Sequence, residues 1–413
     1  MIQLARKGAV VASASLALCL AAAACSSSSS TSTSSTPTSS STASTSSSGA
    51  PSVSISVGQF DRTFSAMSAL KPLAAAGKGN VAVILPDTVT SARYVQFDAP
   101  YLTQAMTAAG LTSSQFTVQN AGGSDATELS DAQTAITKGA SVLVMDPLDA
   151  GVGAQIETYA KAHGAAVIDY DRLTLGGSRA YYVSFNNVVV GQTIGQGFVA
   201  CATDWKVTKP NVLVMKGDPT DNNATLFAQG YLGVLNPHFA DKSYTLVGTP
   251  AGTWTPTVAV SEFQQQFTAH KNINSVVTPN DDNAAAIIHY LQTLHVKPNT
   301  FPTTGQDATT VGLQNILSGY QCGTVYKPIY LEAQGAAALA MYMRAGKTPP
   351  ASLVNSTTND SKTSTAVPSV LTSPKWVTTS NMASTVIADQ FVKAAQLCVG
   401  SFAAACKTAG ISL

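Results

Sequence analysis

Polar clusters follow five short apolar segments of the sequence, and each cluster is rich in Asp, Asn, Gln, Arg or Lys. The clusters are Asp171-Arg172, Asp221-Asn222-Asn223, Asn280-Asp281-Asp282, Gln306-Asp307 and Lys327. Carboxylates and amide oxygens accept hydrogen bonds from hydroxyl groups, whereas guanidinium and ammonium groups donate them to hydroxyl and ring oxygens. Strand ends that repeatedly present such groups are typical of the rim of a ligand cleft in an open α/β sheet.

Each cluster also has an ordinary structural explanation. The two clusters that contain Asn precede predicted helices, where Asp and Asn are favoured N-caps. Asp307 could cap a helix as well, Asp171-Arg172 could be a surface salt bridge, and a lone Lys327 could be solvated. Three polar residues in a row exceed what a single cap requires, so capping and ligand binding both stay open for Asp221, Asn222 and Asn223, and the capping explanation applies equally to the cluster at Asn280.

Three further residues have side chains suited to the same chemistry. Arg93 and Tyr94 open a predicted helix, where an arginine is electrostatically unfavourable and therefore suggests a purpose. Trp254 lies in a predicted loop, and an exposed aromatic ring there could stack on the C–H face of a sugar. Packing of the Trp254 ring against the following helix is the alternative.

Catalytic motifs are missing from the sequence. It contains no GxSxG, HExxH, phosphate-binding loop or glycine-rich dinucleotide motif. The five histidines lie in or near predicted helices, away from the polar clusters. Pairs of carboxylates are present, but spacing alone does not identify the acid and nucleophile of a glycosidase.

Size and charge narrow the class of protein. The 413 residues suggest two domains, and 45% hydrophobic residues suffice for their cores. The formal net charge of +1 falls to −1 without Arg6 and Lys7, because 21 basic residues then face 22 acidic ones. Such a balance provides no basic surface for nucleic acid or acidic lipid.

The first residues have the pattern of a secretory signal. A basic start at residues 1–7 is followed by an apolar stretch at 8–20 and small residues before Cys25, which predicts a signal peptide over residues 1–24. Small residues directly before a cysteine resemble a bacterial lipoprotein box, so we expect a lipid on Cys25; cleavage after an alanine is the alternative. Residues 25–56 then form a Ser/Thr-rich tether, too polar to fold.

Four cysteines remain in the predicted mature chain besides Cys25. An even number in an oxidising compartment favours disulfides. Cys398 and Cys406 bracket a short loop and are expected to pair, which leaves Cys201 and Cys322 as the second bridge. The rival interpretation, a zinc site, lacks a CxxC motif and a nearby histidine.

Apolar runs and amphipathic segments alternate after a helical lead-in over residues 57–79. Strands are expected over residues 81–85, 116–120, 141–145, 166–170, 181–185, 212–215, 244–249, 273–278, 324–326 and 368–371. Helices are expected over residues 91–110, 125–138, 154–163, 188–202, 225–235, 255–269, 282–294, 310–317, 331–345 and 383–397, with a polar loop over 355–364. Two rounds of this βαβ alternation predict an α/β protein of two lobes, each a parallel sheet flanked by helices.

The chain is expected to cross between the lobes several times and so to form a multi-strand hinge. We assign residues 80–186 and 328–366 to the N-terminal lobe. Residues 187–327 and 367–413 are assigned to the C-terminal lobe. Lobes joined in this way close around a ligand by hinge motion.

An ordered set of motifs resembles a known family. The set comprises VIDYDR at 167–172, YVSFNN at 182–187, GDPTDNN at 217–223, Asn280-Asp281, TGQD at 304–307 and TVYKP at 324–328. In this order the motifs resemble the D-xylose-binding proteins of bacterial ABC sugar importers, of the ribose/galactose type of periplasmic binding protein (type I). The resemblance covers most of residues 80–391.

This resemblance implies a set of sugar contacts. In the first lobe they are Arg93, Asp171 and Arg172, with Tyr94 where the family has a tryptophan. In the second lobe they are Asp221, Asn223, Asn280 and Asp307, with Trp254 as the stacking ring and Lys327 at the hinge. The segment before Arg93 is one residue longer than in the family, and the tyrosine at position 94 leaves the identity of the sugar open.

The resemblance and the N-terminus together imply a lipid-anchored solute-binding protein on the outer face of the cell membrane. It would bind a monosaccharide, D-xylose, and present it as a monomer to an ABC permease and its ATPase, with no cofactor, metal or nucleic acid. A sugar-sensing receptor that signals to a membrane kinase is the first alternative, and a carbohydrate-active enzyme is the second. A sugar-responsive repressor is disfavoured by the secretory signal and the missing DNA-binding segment.

Overall fold

Two successive arrays of strands and helices follow one another along the chain, as the hydrophobic periodicity predicts. The computed structural model describes residues 53–88 and 90–412. The predicted signal peptide, Cys25 and nearly all of the tether lie outside the described residues. Within them, no helix is both long and apolar enough to cross a membrane.

The lead-in is a series of short turns, where the sequence predicted one helix over residues 57–79. It contains 3₁₀ turns at Val57–Gln59 and Ser65–Leu70 and a short helix α1 at Lys71–Ala76. Phe64 has a φ of 59°, a left-handed conformation that interrupts any continuous helix. Buried apolar side chains of this segment pack on the core of the first lobe.

The first lobe alternates strands and helices up to residue 185. Its elements are β1 (Asn80–Leu85), α2 (Ala99–Ala108), β2 (Phe116–Asn120), α3 (Asp125–Thr137), β3 (Ala140–Met145), α4 (Ala150–Ala162), β4 (Ala166–Tyr170) and β5 (Tyr181–Phe185). A π-helical turn, Tyr94–Asp98, leads directly into α2, so the predicted helix over 91–110 is irregular at its start.

The second lobe repeats this pattern. Its elements are α5 (Asn187–Asp204), β6 (Asn211–Val214), α6 (Asn222–Ala240), β7 (Thr245–Gly248), α7 (Pro256–Ala269), β8 (Ser275–Val277), α8 (Asp281–Thr293), β9 (Thr304–Gln306), α9 (Thr310–Leu317) and β10 (Gly323–Tyr326). The strands pair in the order β7-β6-β8, β9 pairs with β10, and a parallel bridge between Val276 and Thr303 joins the two groups.

The chain then returns to the first lobe. Helix α10 (Ile329–Arg344) is buried along almost its whole length, and the hairpin β11 (Ser356–Asp360) and β12 (Thr365–Thr372) follows it. Strand β12 pairs in parallel with β5, which gives the first-lobe sheet the order β11-β12-β5-β4-β3-β1-β2. The chain crosses back once more to β13 (Lys375–Val377), which pairs with β10.

This return corrects two predictions. The segment predicted as a polar loop over 355–364 contains strand β11, whose threonines alternate between half-buried and exposed positions. Residues 367–372 belong to the sheet of the first lobe through β12, so the return to the second lobe follows residue 372 and not 366.

The C-terminal end differs from the single helix that was predicted over 383–397. A π-helical turn at Ala383–Ile387 is followed by α11 (Ala394–Leu397) and α12 (Phe402–Thr408). A disulfide joins Cys398 to Cys406 across the last two helices, and a second joins Cys201 to Cys322 within the second lobe. These are the two pairs considered from the sequence.

Candidate functional site

The carboxyl ends of the parallel strands in both lobes face a common cleft. Asp171 and Arg172 follow β4, whereas Asp221, Asn280 and Asp307 follow β6, β8 and β9 in the second lobe. Because parallel strands end at the same edge of a sheet, clusters far apart in sequence converge there.

Arg93 is the centre of a buried ion-pair network in the first lobe. Its Nε and Nη2 donate to the two carboxylate oxygens of Asp98 at 2.9 and 2.7 Å, and Nη2 also donates to Glu332 at 3.1 Å. Its Nη1 donates to Asp171 at 2.7 Å. Burial opposes the charge of Arg93, but these carboxylates raise its pKa well above the ordinary value.

Asp171 is held in a conformation that few residue types adopt. Its φ of 56° lies in the left-handed region, which Asp and Asn tolerate better than most residues. Burial alone would raise the pKa of Asp171, but Arg93, Lys327 and Arg172 together hold it below its ordinary value. Asp171 is therefore a charged acceptor in the cleft at neutral pH.

Arg172 connects the first lobe to the second. Its Nη1 donates to the backbone carbonyls of Pro147 and Leu148, and its Nη2 donates to the hydroxyl of Tyr94 at 2.8 Å. The Nε atom lies 3.2 Å from a carboxylate oxygen of Asp221 in the second lobe. The guanidinium also lies over the Tyr94 ring, 5.6 Å from its centroid, a cation–π arrangement.

Asp221 combines a capping role with a role in the cleft. One carboxylate oxygen accepts from the backbone N–H of Asn223 at 2.8 Å and so caps α6. The other accepts from Trp254 Nε1 at 3.0 Å and faces Arg172. The structure therefore shows the capping role, and the second oxygen, on the side of the cleft, leaves the predicted ligand role open.

The ring of Trp254 packs closely against the backbone of Gly217. A Cβ atom added to Gly217 would come within 2.2 Å of the indole ring, so only glycine allows this position. The ring is buried and lines the cleft, and the bond from its Nε1 to Asp221 fixes its orientation.

Asn223 and Asn280 extend the second half of the site. The Nδ2 of Asn223 donates to the backbone carbonyl of Asp171 at 3.0 Å, a direct hydrogen bond between the lobes. Asn280 caps α8 by accepting from the backbone of Asn283 and also lines the cleft.

Asp307 and Lys327 complete the cleft at the hinge. The Nζ of Lys327 lies 3.2 Å from Asp307 and 3.8 Å from Asp171. Asp307 has a φ of 92° and the following Ala308 one of 50°, so the backbone turns in a strained, left-handed conformation at this point.

All ten residues implied by the resemblance line one cavity. They are Arg93, Tyr94, Asp171, Arg172, Asp221, Asn223, Trp254, Asn280, Asp307 and Lys327. Thr90, Ser91, Phe227 and Gln306 line the same cavity, although the sequence motifs do not predict them as ligand contacts. Gln306 already belonged to a polar cluster, and Phe227 lies one helical turn after Asn223, on the same face of α6.

Several polar atoms around the cavity form no hydrogen bond within the described chain. They include Nε of Arg172, Oδ1 of Asp307 and Oε1 of Gln306, all buried. Arg172 Nε and Asp307 Oδ1 each lie 3.2 Å from an ion-pair partner, Asp221 and Lys327 respectively, but all three atoms keep hydrogen-bonding capacity for a ligand that both accepts and donates. The described ranges contain no group of three or more His, Cys, Asp or Glu side chains able to hold a metal ion.

Comparison with known proteins identifies the same architecture. A profile of the periplasmic binding protein domain matches residues 81–348. The chain is 34% identical over 283 residues to the D-xylose-binding periplasmic protein of Escherichia coli (strain K12), covering 68% of this chain and 82% of that protein. It is 33% identical to the D-xylose-binding periplasmic protein of Haemophilus influenzae, covering 66% and 80% of the two chains.

A solved structure extends the comparison to the fold. The carbohydrate transporter solute-binding protein of Chloroflexus aurantiacus, in complex with D-glucose, superposes with a TM-score of 0.68 at 26% identity. The superposition covers 76% of this chain and 97% of the other. The fold is the two-lobed α/β fold of type I, and the chain belongs to the periplasmic binding protein family.

Proposed function

We propose that the chain binds a monosaccharide, D-xylose, between its lobes and delivers it to an ABC permease and its ATPase. The observation that carries the proposal is the single cavity lined by hydrogen-bonding side chains of both lobes and the hinge. The names of the two D-xylose-binding relatives support the choice of sugar.

Binding would replace the hydration of the sugar with fixed polar groups. Asp171, Asp221 and Asp307 would accept from sugar hydroxyls, while Arg172 and Lys327 would donate to hydroxyl or ring oxygens. The Trp254 ring would cover a C–H face of the sugar. No bond of the ligand is broken in this proposal, which makes the protein a carrier and not an enzyme.

Closure of the lobes would then exclude water. Contacts between the lobes connect Arg172 to Asp221 and Asn223 to the carbonyl of Asp171. A further contact leads from the backbone N–H of Ala92 to Asp282 at 3.3 Å. The cleft is therefore complete only when the lobes meet, which couples sugar capture to the shape that a permease would recognise.

Isothermal titration calorimetry tests the proposal directly. The protein without its first 52 residues is titrated with D-xylose, other pentoses and hexoses, and D-xylose should bind most tightly. Asp307→Ala should abolish measurable binding because it removes a buried charged acceptor, whereas Asp204→Ala, on the exposed end of α5, should bind like the parent. A folded protein that takes up none of these sugars contradicts the proposal.

We also propose that the mature chain is a monomer held on the outer face of the membrane through a lipid on Cys25. The basis is the sequence of the N-terminus, together with the periplasmic relatives. In detergent phase partition, the full-length protein should enter the detergent phase and Cys25→Ser should remain in the aqueous phase. Equal partition of the two proteins would contradict the anchor.

A further inference from the structure

The two lobes also enclose a second crevice, which shares no lining residue with the proposed sugar cleft. One wall is a face of α6 that carries Asn222, Leu226 and Gln229. The opposite wall is the hairpin β11–β12, with Thr357 and Asn359. Because its walls come from different lobes, the shape of the crevice depends on how the lobes are arranged.

The chemistry of this crevice differs from that of the cleft. None of the described residues that line it is Asp, Glu, Lys, Arg or His. Amides and hydroxyls are interspersed with apolar and aromatic side chains, such as Leu226 and Phe185. A lining of this kind suits a neutral ligand with several hydroxyl groups and disfavours an ion, whose charge would meet no counter-charge.

Asn187 provides a buried group without a partner in this crevice. Its side chain is only 4% exposed, and its Oδ1 accepts no hydrogen bond within the described chain. Its Nδ2, in contrast, donates to Asn223 at 2.7 Å and to the hydroxyl of Tyr182 at 3.0 Å. A buried acceptor without a donor is costly, and a ligand hydroxyl would satisfy it.

The same asparagine links the crevice to the sugar cleft. Asn187 donates to Asn223, which in turn donates to the backbone carbonyl of Asp171. Asn223 and Asp171 both line the sugar cleft. A ligand that holds the Asn187 side chain in place therefore also stabilises the hydrogen bond between Asn223 and Asp171, which connects the two lobes.

We propose that this crevice is a second binding site, for a neutral polyhydroxylated compound, and that its occupancy is coupled to the sugar cleft through Asn187 and Asn223. The site is separate from the proposed sugar cleft and does not depend on which sugar the cleft binds. Since coupling is reciprocal, each ligand should change the affinity of the other by the same factor.

Nuclear magnetic resonance of side-chain amides tests the site. Erythritol, a neutral four-carbon polyol, is titrated into the full folded body, and the signals of the Asn187 side-chain amide should shift saturably. Erythronate, an anion of the same carbon length, should produce no such shift. Erythritol bound in the cleft would shift the same amide through Asn223, so crevice-filling variants that leave the cleft lining unchanged assign the shift to the crevice.

Two crevice-filling variants and one control complete the experiment. Leu226→Trp, or Thr225→Trp where the first variant does not fold, should weaken erythritol binding by about tenfold or more. Leu246→Trp adds the same ring at a residue of β7 that is 42% exposed, and it should bind erythritol like the parent. No saturable shift, or an equal shift in the filling variants, would overturn the site.

The coupling has its own test. Sugar titrations are repeated at saturating erythritol, and erythritol titrations at saturating sugar. We expect a change of at least about fivefold in sugar affinity, matched by the same factor in the reverse direction. Unchanged affinities in both directions would overturn the coupling while leaving the crevice site in place.

Discussion

The two halves of the proposed sugar cleft are built in different ways. In the first lobe, Arg93 is fixed by Asp98 and Glu332, side chains that do not line the cavity. In the second lobe, Asp221 and Asn280 are fixed by the helices that they cap. The first half therefore depends on a buried charge network, and the second half on local helix geometry.

This difference separates stability from binding. A buried ion pair that loses one partner leaves an uncompensated buried charge. This lowers the free energy of unfolding whether or not a ligand is bound. Asp307 has a single charged partner, Lys327, and its Oδ1 forms no hydrogen bond within the described chain, so it has more capacity left for a ligand than Asp98 has. The first half-site should thus be the more important for folding, and the second for affinity.

The largest effect is expected from a substitution that breaks the charge network of the first half. Arg93→Met leaves Asp98, Asp171 and Glu332 without their common partner, so the free energy of unfolding should fall by about 3–5 kcal/mol. Urea denaturation followed by circular dichroism measures this loss. Asp307→Asn, in the second half, removes one charge from a single ion pair, with Lys327, and should lower the urea midpoint by less than Arg93→Met does; equal midpoints for the two variants would refute the contrast.

The next effect concerns the disulfides, which in the described chain both lie outside the first-lobe sheet. Replacing Cys201 and Cys322 together with serine opens a loop with a sequence separation of 121 residues and should cost about 2–4 kcal/mol. All three tryptophans (Trp205, Trp254 and Trp376) belong to second-lobe elements. Tryptophan fluorescence should therefore detect the destabilisation at lower urea than circular dichroism of the whole protein does.

If the fluorescence and circular dichroism transitions of the double serine variant coincide, and neither is shifted from that of the parent, this bridge does not stabilise the second lobe. The parent protein with its disulfides intact is the reference for both spectroscopic probes. Reduction of the parent with dithiothreitol should reproduce the direction of the change.

A smaller effect compares the two aromatic residues of the cleft. Trp254→Phe removes the hydrogen bond to the Asp221 carboxylate, a bond to a charged group worth about 1.5–3 kcal/mol. Tyr94→Phe removes the phenol that accepts from Arg172, a contact that leaves the guanidinium with its other partners. Calorimetry with D-xylose should show at least about tenfold weaker binding for Trp254→Phe and a smaller loss for Tyr94→Phe; the reverse order would contradict the comparison.

The smallest effect is a pH dependence of closure. Burial raises the pKa of Asp282 to about 6 from its ordinary value of 3.8, with further contributions from Asp307 and Asp87, although the bond from the Ala92 backbone lowers it. When the lobes separate, the Asp282 carboxyl meets water and its pKa returns toward the ordinary value. The closed form then binds more protons between these two pKa values, so falling pH favours closure.

Sugar affinity should therefore rise a few-fold as the pH falls from about 7 to about 5, as measured by calorimetry. Asp282→Asn should flatten this part of the profile, and Asp204→Asn, at an exposed position, should not. An identical profile in Asp282→Asn would remove Asp282 as the source of the pH dependence.

Hydrophobic periodicity predicted most of the fold because buried strands and amphipathic helices have distinct spacings. Strand β11 escaped prediction because its Thr-rich sequence has no apolar face, and only pairing with β12 makes it a strand. The interruption at Phe64 also left no trace, since phenylalanine has no preference for a left-handed backbone. Tertiary contacts decide both.

The candidate site was predictable where polar residues stand directly at strand ends. Asp171 and Asp307 fit that rule, because each directly follows the last residue of its strand. Glu332, by contrast, lies 239 residues from Arg93 in the sequence. It belongs to α10, whose sequence has the composition of an ordinary buried helix, so no local pattern connects the two residues. Long-range ion pairs of this kind require the folded chain.

The left-handed backbone at Asp171 and Asp307 also limits how this protein can evolve. Gly, Asn and Asp adopt a positive φ at lower cost than most residue types, so most substitutions at these two positions should destabilise the strand end as well as change the ligand contact. Tyr94 and Trp254 have no such restriction. Changes of sugar preference within this lineage should therefore accumulate at the aromatic positions, while the two aspartates persist across paralogues that carry different cargo.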